Sequence, residues 1–246
     1  ALDEMRDDIV SAASSIGKMV KRAELETPSL DRRAARRAVS AARKTVLEGL
    51  QRAWRANRAR LAAGVAQALE GLGKAVQPSE PGAARLAAAL DLDAVAEIYI
   101  ALGEDLGIAA TDAARKILAK MSVSAEEAEN VYSRAAQWAE EHAAEITGQR
   151  ILDDGSIVRT TGGSYDITES TQKIVRDTIS SGLRNGLSEE EIMSKLEEAG
   201  FSEERAQNIA EYEVGTANSA GALEGYRAAR DAGVPIVGKR WLTVGD

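Results

Sequence analysis

From Leu30 to about Val76 the chain contains no proline, and Val39, Val46, Leu47, Leu50, Trp54, Leu61, Val65, Ala68 and Leu69 recur through it at a helical period. One continuous helix over that stretch would be about 70 Å long, at ~1.5 Å per residue. A rod of that length restricts the fold to helix-on-helix packing. Thr27-Pro28-Ser29 sets its start, because Pro28 disfavours helix at Thr27 and Ser29 can cap the rod. Gln77-Pro78-Ser79-Glu80-Pro81-Gly82 reads as the linker that ends it. Gly49 and Gly64 lie inside the rod and are expected to mark bends.

The rod is also where the positive charge sits. Between Lys18 and Arg60 there are thirteen Lys/Arg against four acids, a net of +9, which leaves −17 for the remainder of a chain whose total is −8. Arg32, Arg33, Arg36 and Arg37 recur at i, i+1, i+4 and i+5, and Arg43, Lys44, Arg52, Arg55 and Arg58 extend the basic character. Such a stripe can neutralise phosphates with release of counterions, or meet an acidic protein surface, or simply be a solvated helix face. All three readings stay open. Trp54 is the only aromatic within the stripe, which gives no support to base stacking.

The rest of the chain also reads as helical. Residues 3–25 form a first amphipathic segment, with Ile9, Ile16, Met19 and Val20 as its apolar stripe. After the linker, helices are expected over about 83–103 and, past a turn at Gly107, over 111–121. Ser124 with Glu127 is a capping box, with Val123 as its staple residue, opening a helix to about Thr147. Ile151 to Val158 sets Asp154-Gly155 between β-favouring flanks, a hairpin signal within a 149–166 insertion. A helix is next expected over about 168–184, ending at Asn185-Gly186. Ser188 with Glu191 and Leu187 with Ile192 start a short helix that stops at Gly200. Ser202 starts the last one, which runs to about Ala232, and 238–244 reads as an edge strand. The expected fold is mainly α, with a long N-terminal helical arm (1–77), a helical region (83–148), the hairpin insertion, and a helical domain (167–246) with a terminal strand. Alanine dominates the apolar residues, against one Phe, three Trp and five Tyr, so helices can approach closely while each contact buries little area. Support from partner chains is therefore expected.

Several classes of function find no footing. No apolar run is long enough for a membrane-spanning helix, so no membrane partner is expected. The opening residues Ala1-Leu2-Asp3-Glu4-Met5 do not have the form of a signal peptide. There is no cysteine, hence no thiolate metal site in the residues given, and neither a metal nor any other cofactor is expected. His142 is the only histidine, and a lone helical histidine is far more often packed than catalytic. Glu211-Tyr212-Glu213 has the Glu-x-Glu spacing of ADP-ribosyltransferases, but in a helix i and i+2 point apart. Asp153-Asp154-Gly155 lacks the full spacing of a calcium loop, and Gly71-Leu72-Gly73-Lys74 and Gly162-Gly163 lack that of a phosphate loop. No catalytic residue is expected.

The last third carries a resemblance. A helix leads into Asn185-Gly186-Leu187-Ser188 and Glu191-Ile192. Phe201, Arg205-Ala206, Ile209-Ala210, Glu213, Ala217-Asn218, Gly221 and Tyr226 come next, and then Lys239-Arg240-Trp241 and Gly245-Asp246. With Trp138 to Ala143 before it, this order resembles the Mu F-like head morphogenesis family of tailed bacteriophages, over roughly residues 130–246. In that family a helix–turn–helix–long helix unit leads into a Lys/Arg-Trp strand and a Gly-Asp turn. The chain departs from the pattern in having Glu211-Tyr212-Glu213 where the family usually shows Arg-Thr-Glu, so Glu213 alone is retained there. The family commonly continues into a small β region with a cysteine pair, and the residues given end before it. The resemblance implies a structural minor head protein in the virion, at the portal vertex or head interior, present in the host cytoplasm during assembly. Its expected partners are portal or major capsid protein, with packaged DNA as a further candidate and an oligomeric setting in the virion. Arg205, Glu213, Asn218, Tyr226 and Trp241 are the matching residues expected to act in structure and docking. The rival readings are a portal or head–tail connector ring component, a DNA-binding regulator and an ADP-ribosyltransferase-like effector.

Overall fold

The computed structural model describes residues 32–72, 80–121, 123–160, 166–234 and 236. The first amphipathic segment, Gln77-Pro78-Ser79 of the linker, Gly162-Gly163 and the edge strand with Trp241 lie outside the described residues.

The proline-free stretch is one helix, α1 (Arg32–Leu72). Its face Ala42, Val46, Leu50, Ala53, Trp54, Leu61 and Val65 is buried and joins the same core as the C-terminal helices, so the expected arm is built into the body along one side. Gly49 and Gly64 do not interrupt it. They let neighbours approach instead: a Cβ at Gly49 would lie 2.9 Å from Ile98 Cγ2, and one at Gly64 would collide with the Leu86 side chain.

Four elements stand where three helices are expected. They are α2 (Glu80–Ala88), α3 (Asp93–Ala96), α4 (Tyr99–Leu118) and α5 (Ala125–Ile146). The expected turn at Gly107 is absent, because α4 runs straight through it. Gly103 serves close helix packing, since a Cβ there would lie 3.2 Å from Glu140 Cα, whereas one at Gly107 would meet Ala136 Cα at an ordinary 3.9 Å. The chain breaks earlier, at 89–92, where a buried side chain of α1 takes over the backbone. Asn57 Nδ2 donates to the carbonyls of Ala53 (2.8 Å) and Asp91 (2.6 Å), and its Oδ1 accepts from the Asp91 amide (2.9 Å). The linker is also shorter than expected, since Glu80, Pro81 and Gly82 form the first turn of α2, where proline's missing N–H costs nothing.

The remaining elements keep close to their expected bounds. The capping box at Ser124 starts α5, with Glu127 N to Ser124 Oγ at 3.2 Å and Ser124 N to Glu127 Oε2 at 3.0 Å. Strands β1 (Gln149–Ile151) and β2 (Ile157–Arg159) pair antiparallel, Arg150 opposite Val158, around a turn in which Gly155 takes φ +79°. Then come α6 (Ile167–Arg184), α7 (Glu189–Phe201) and α8 (Glu203–Asp231). Gly186, at φ +67°, lies just past the end of α6, and Ser188 with Glu191 forms the second capping box. The protein is mainly α, with a single two-stranded hairpin among the described residues.

Two layers of contact organise the core. Helix α4 packs against both α5 and α8, and α1 lies across α3, α4, α7 and α8. The α4–α8 seam is made of Ala110, Ala114 and Ile117 against Ala217, Gly221 and Gly225. On the other side, Trp54 of α1 meets Phe201, the chain's only phenylalanine, with ring centroids 5.0 Å apart. A tilted aromatic pair of this kind adds about 0.5–1.5 kcal/mol beyond its buried area.

Candidate functional site

The basic residues of α1 separate into paired and outward-facing groups. Arg33, Arg37, Lys44, Arg55 and Arg58 come at steps of four, seven, eleven and three, which keeps them on one side of the helix over about 38 Å. That side lies opposite the buried stripe, and Arg33, Arg37, Lys44, Arg55 and Arg58 border solvent along it. Arg36 is exposed too, nearer the first turn. Arg43 and Arg52 turn towards the body, where Arg43 pairs with Glu203 of α8 and Arg52 with Glu97 at 3.3 Å. Lys44 has Glu48 one turn away at 4.0 Å. Arg32 begins the helix, and its side chain is outside the described residues. Among the described residues, Arg36, Arg37, Arg55 and Arg58 form no ion pair, so their charge remains open to a partner.

The residues that match the family pattern fall into two sets. Arg205 and Glu213 are turned inward. Arg205 donates to Thr171 Oγ1 (2.9 Å), Ser170 Oγ (3.0 Å), the Ile167 carbonyl (3.4 Å) and the Gly200 carbonyl. It thereby joins the start of α6, the end of α7 and the first turn of α8. All of these partners are neutral oxygens, and burial lowers the guanidinium to about 10, which leaves it charged at neutral pH. Glu213 is buried and bonds His142 Nε2 at 2.7 Å, while the imidazole stacks on Trp138 at 4.7 Å between centroids. Glu211, two residues before it, is exposed and accepts from Gln207 instead. Asn218 and Tyr226 are on the outer side: Asn218 lines a groove, and Tyr226 is exposed. Trp241 lies outside the described residues.

The His142–Glu213 contact spans α5 and α8, and sequence reasoning misses it. The signal is there, since His142 continues the stripe Val131, Ala135 and Trp138 that faces the body. A double-mutant cycle tests it: His142→Phe and Glu213→Gln should be coupled by about 1–3 kcal/mol in urea unfolding. Simple additivity of the two changes would sink the pairing.

One flank of α8 is apolar and open. Tyr212, Leu223 and Tyr226 are 62%, 49% and 37% exposed, and with Thr216 and Ser219 they repeat at alternate steps of four and three. That spacing is a seam about 21 Å long on the side away from the α4 contact. A wider groove, of about 1260 Å³, opens between the start of α1, α4 and α5. On its edge, Asp105 accepts from Thr45 Oγ1 at 2.8 Å. Burial pushes that carboxyl above its ordinary range, the hydroxyl opposes the shift, and Glu104 adds to it. No group of metal-ligating side chains is found among the described residues, and no helix among them is long and apolar enough to cross a membrane.

Comparison with family models, with curated proteins and with solved structures finds no match for this chain.

Proposed function

We propose that this chain is a structural protein of a tailed-bacteriophage head, a minor head component that docks on portal or inner capsid through α8. The observation that carries the reading is the open seam Tyr212–Leu223–Tyr226. It lies on the helix where the resemblance to the Mu F-like family is densest and includes one of the matching residues. The inward-turned Arg205 and Glu213, each with its own partners, support the same reading from inside, as the framework that holds α8 in place.

The experiment is light scattering of the full chain, alone and with its cognate portal. Co-migration in a fixed ratio is expected, and Leu223→Glu should weaken it at least tenfold without moving the thermal midpoint. A chain that stays monomeric beside portal and capsid overturns the reading. A discrete ring mass from the chain alone would favour a connector component instead.

The outward basic stripe of α1 favours a second contact, to packaged DNA. Replacing Arg37, Arg55 and Arg58 together with Gln should lower affinity for duplex DNA evenly across sequences. It should also flatten the log affinity–log salt slope by roughly 2–3, if each arginine meets one phosphate. An unchanged slope in a filter-binding titration would remove DNA from the partners of this helix.

A further inference from the structure

We propose that the groove between α1, α4 and α5 is the docking site of the chain's own residues 3–25. This inference stands independently of the phage reading. The groove is apolar and unusually bare: Ile108 is 68% and Ile100 57% exposed, and no large hydrophobic among the described residues is more exposed than Ile108. Its side towards α1 is lined by Ala34, Ala38 and Ala41, short side chains that leave room for a helix.

Two observations select this occupant. The first is connection. Helix α1 begins at Arg32, so the preceding chain enters where the groove begins. Residues 26–31 can span about 20 Å when extended, twice the 8–10 Å between packed helices. Pro28 sits within that joint, where the sequence demands a break.

The second is register. A reversal centred on Pro28-Ser29 lays residues 3–25 antiparallel to α1 and brings Ile16 level with Ala41. Thr45 bonds Asp105, and Gly49 faces Ile98, so α1 and α4 also run antiparallel. One turn before Thr45 is therefore level with Ile108. The apolar stripe Ile9, Ile16, Met19 and Val20 meets the two exposed isoleucines in this arrangement, and the segment's ~34 Å length covers the ~22 Å from Ile100 to Arg115.

A chain without cysteine allows a direct test. The full chain bearing Ile16→Cys and Ile108→Cys is oxidised with diamide at micromolar concentration, beside a control bearing Ile16→Cys and Ile157→Cys, the latter on the exposed hairpin. The groove pair should close at least tenfold faster than the control, as an intramolecular bond at a rate independent of protein concentration. Equal rates overturn the proposal, and so does a disulfide-linked dimer, which would make a second copy the occupant. Hydrogen exchange provides the check that needs no cysteine. Amides of residues 3–25 should be protected in the parent chain and lose that protection at least tenfold in Ile108→Arg. Absence of protection in the parent, or protection unchanged in Ile108→Arg, also overturns it.

Discussion

Gly221→Val should unfold the body or lower its thermal midpoint by roughly 10 °C or more, while Gly215→Ala, six residues earlier in the same helix, should raise it slightly. A Cβ at Gly221 would fall on the Ala110 carbonyl, 2.5 Å from its carbon and 2.8 Å from its Cα. The obstacle is backbone in the middle of α4, which has no rotamer to change. Helices α4 and α8 would have to move apart, opening gaps along Ala114, Ala217 and Gly225. Overpacking alone costs about 1–3 kcal/mol, and the lost seam adds to it. A total above about 4 kcal/mol is therefore expected, equivalent to roughly 8–16 °C for a chain of this size. At Gly215 an added Cβ meets nothing within 4 Å. The helix there gains up to about 1 kcal/mol from replacing glycine by alanine. Circular dichroism melts of the two variants decide the matter. A Gly221→Val midpoint within about 2 °C of the parent would show that the α4–α8 seam is loose enough to admit a side chain.

The second large effect is expected at Arg205. Arg205→Ala should cost about 3 kcal/mol, or roughly 6–12 °C. The carbonyls of Ile167 and Gly200 and the hydroxyls of Ser170 and Thr171 would lose a charged donor in a place that water reaches poorly. Arg205→Lys should recover only part of the loss, because an ammonium cannot span the same fork of acceptors. The sign of the pH dependence comes from burial. The folded-state value is lowered to about 10, below the ordinary guanidinium range, so between the folded and unfolded values the unfolded chain holds more protons and this group's contribution rises with pH. Below about pH 9 both states are protonated, and the loss in Arg205→Ala should be the same at about pH 6 and pH 8.5. Urea midpoints that differ strongly between those two conditions would require a titrating partner for this guanidinium.

What the sequence makes legible is whatever is decided within a few residues. Ser124 with Glu127, Ser188 with Glu191, Asn185-Gly186 and Asp154-Gly155 each carry their own local hydrogen bonds or backbone geometry, and their helices and hairpin form close to the expected bounds. The break at 89–92 has no such signature. It is held by Asn57 and Arg60, about thirty residues earlier, through the backbone of Asp91 and Ala89. Gly107 misleads for a related reason: glycine signals a turn when read locally, but here it is a buried position inside α4, facing α5. The basic stripe is legible as spacing. The pairing of Arg43 with Glu203 is not, because it joins residues 160 apart. Arg205 is singled out in the sequence by the resemblance alone, and its inward turn onto Thr171, Ser170 and the Ile167 carbonyl comes only with the fold.

The position of α1 bears on how the chain is made. Its buried stripe is completed mainly by α7 and α8, which begin at Glu189 and Glu203. About 160 residues separate Leu50 from Ala210. At a synthesis rate of ~5–20 residues per second, the first helix leaves the ribosome on the order of ten seconds or more before its last partner. Through that interval Val46, Leu50 and Trp54 lack the surface that finally covers them. Contacts this distant along the chain slow folding, and apolar surface left uncovered in the meantime is prone to aggregation. The structure is thus one that closes at its end, when α8 slides in beside the helix that was made first.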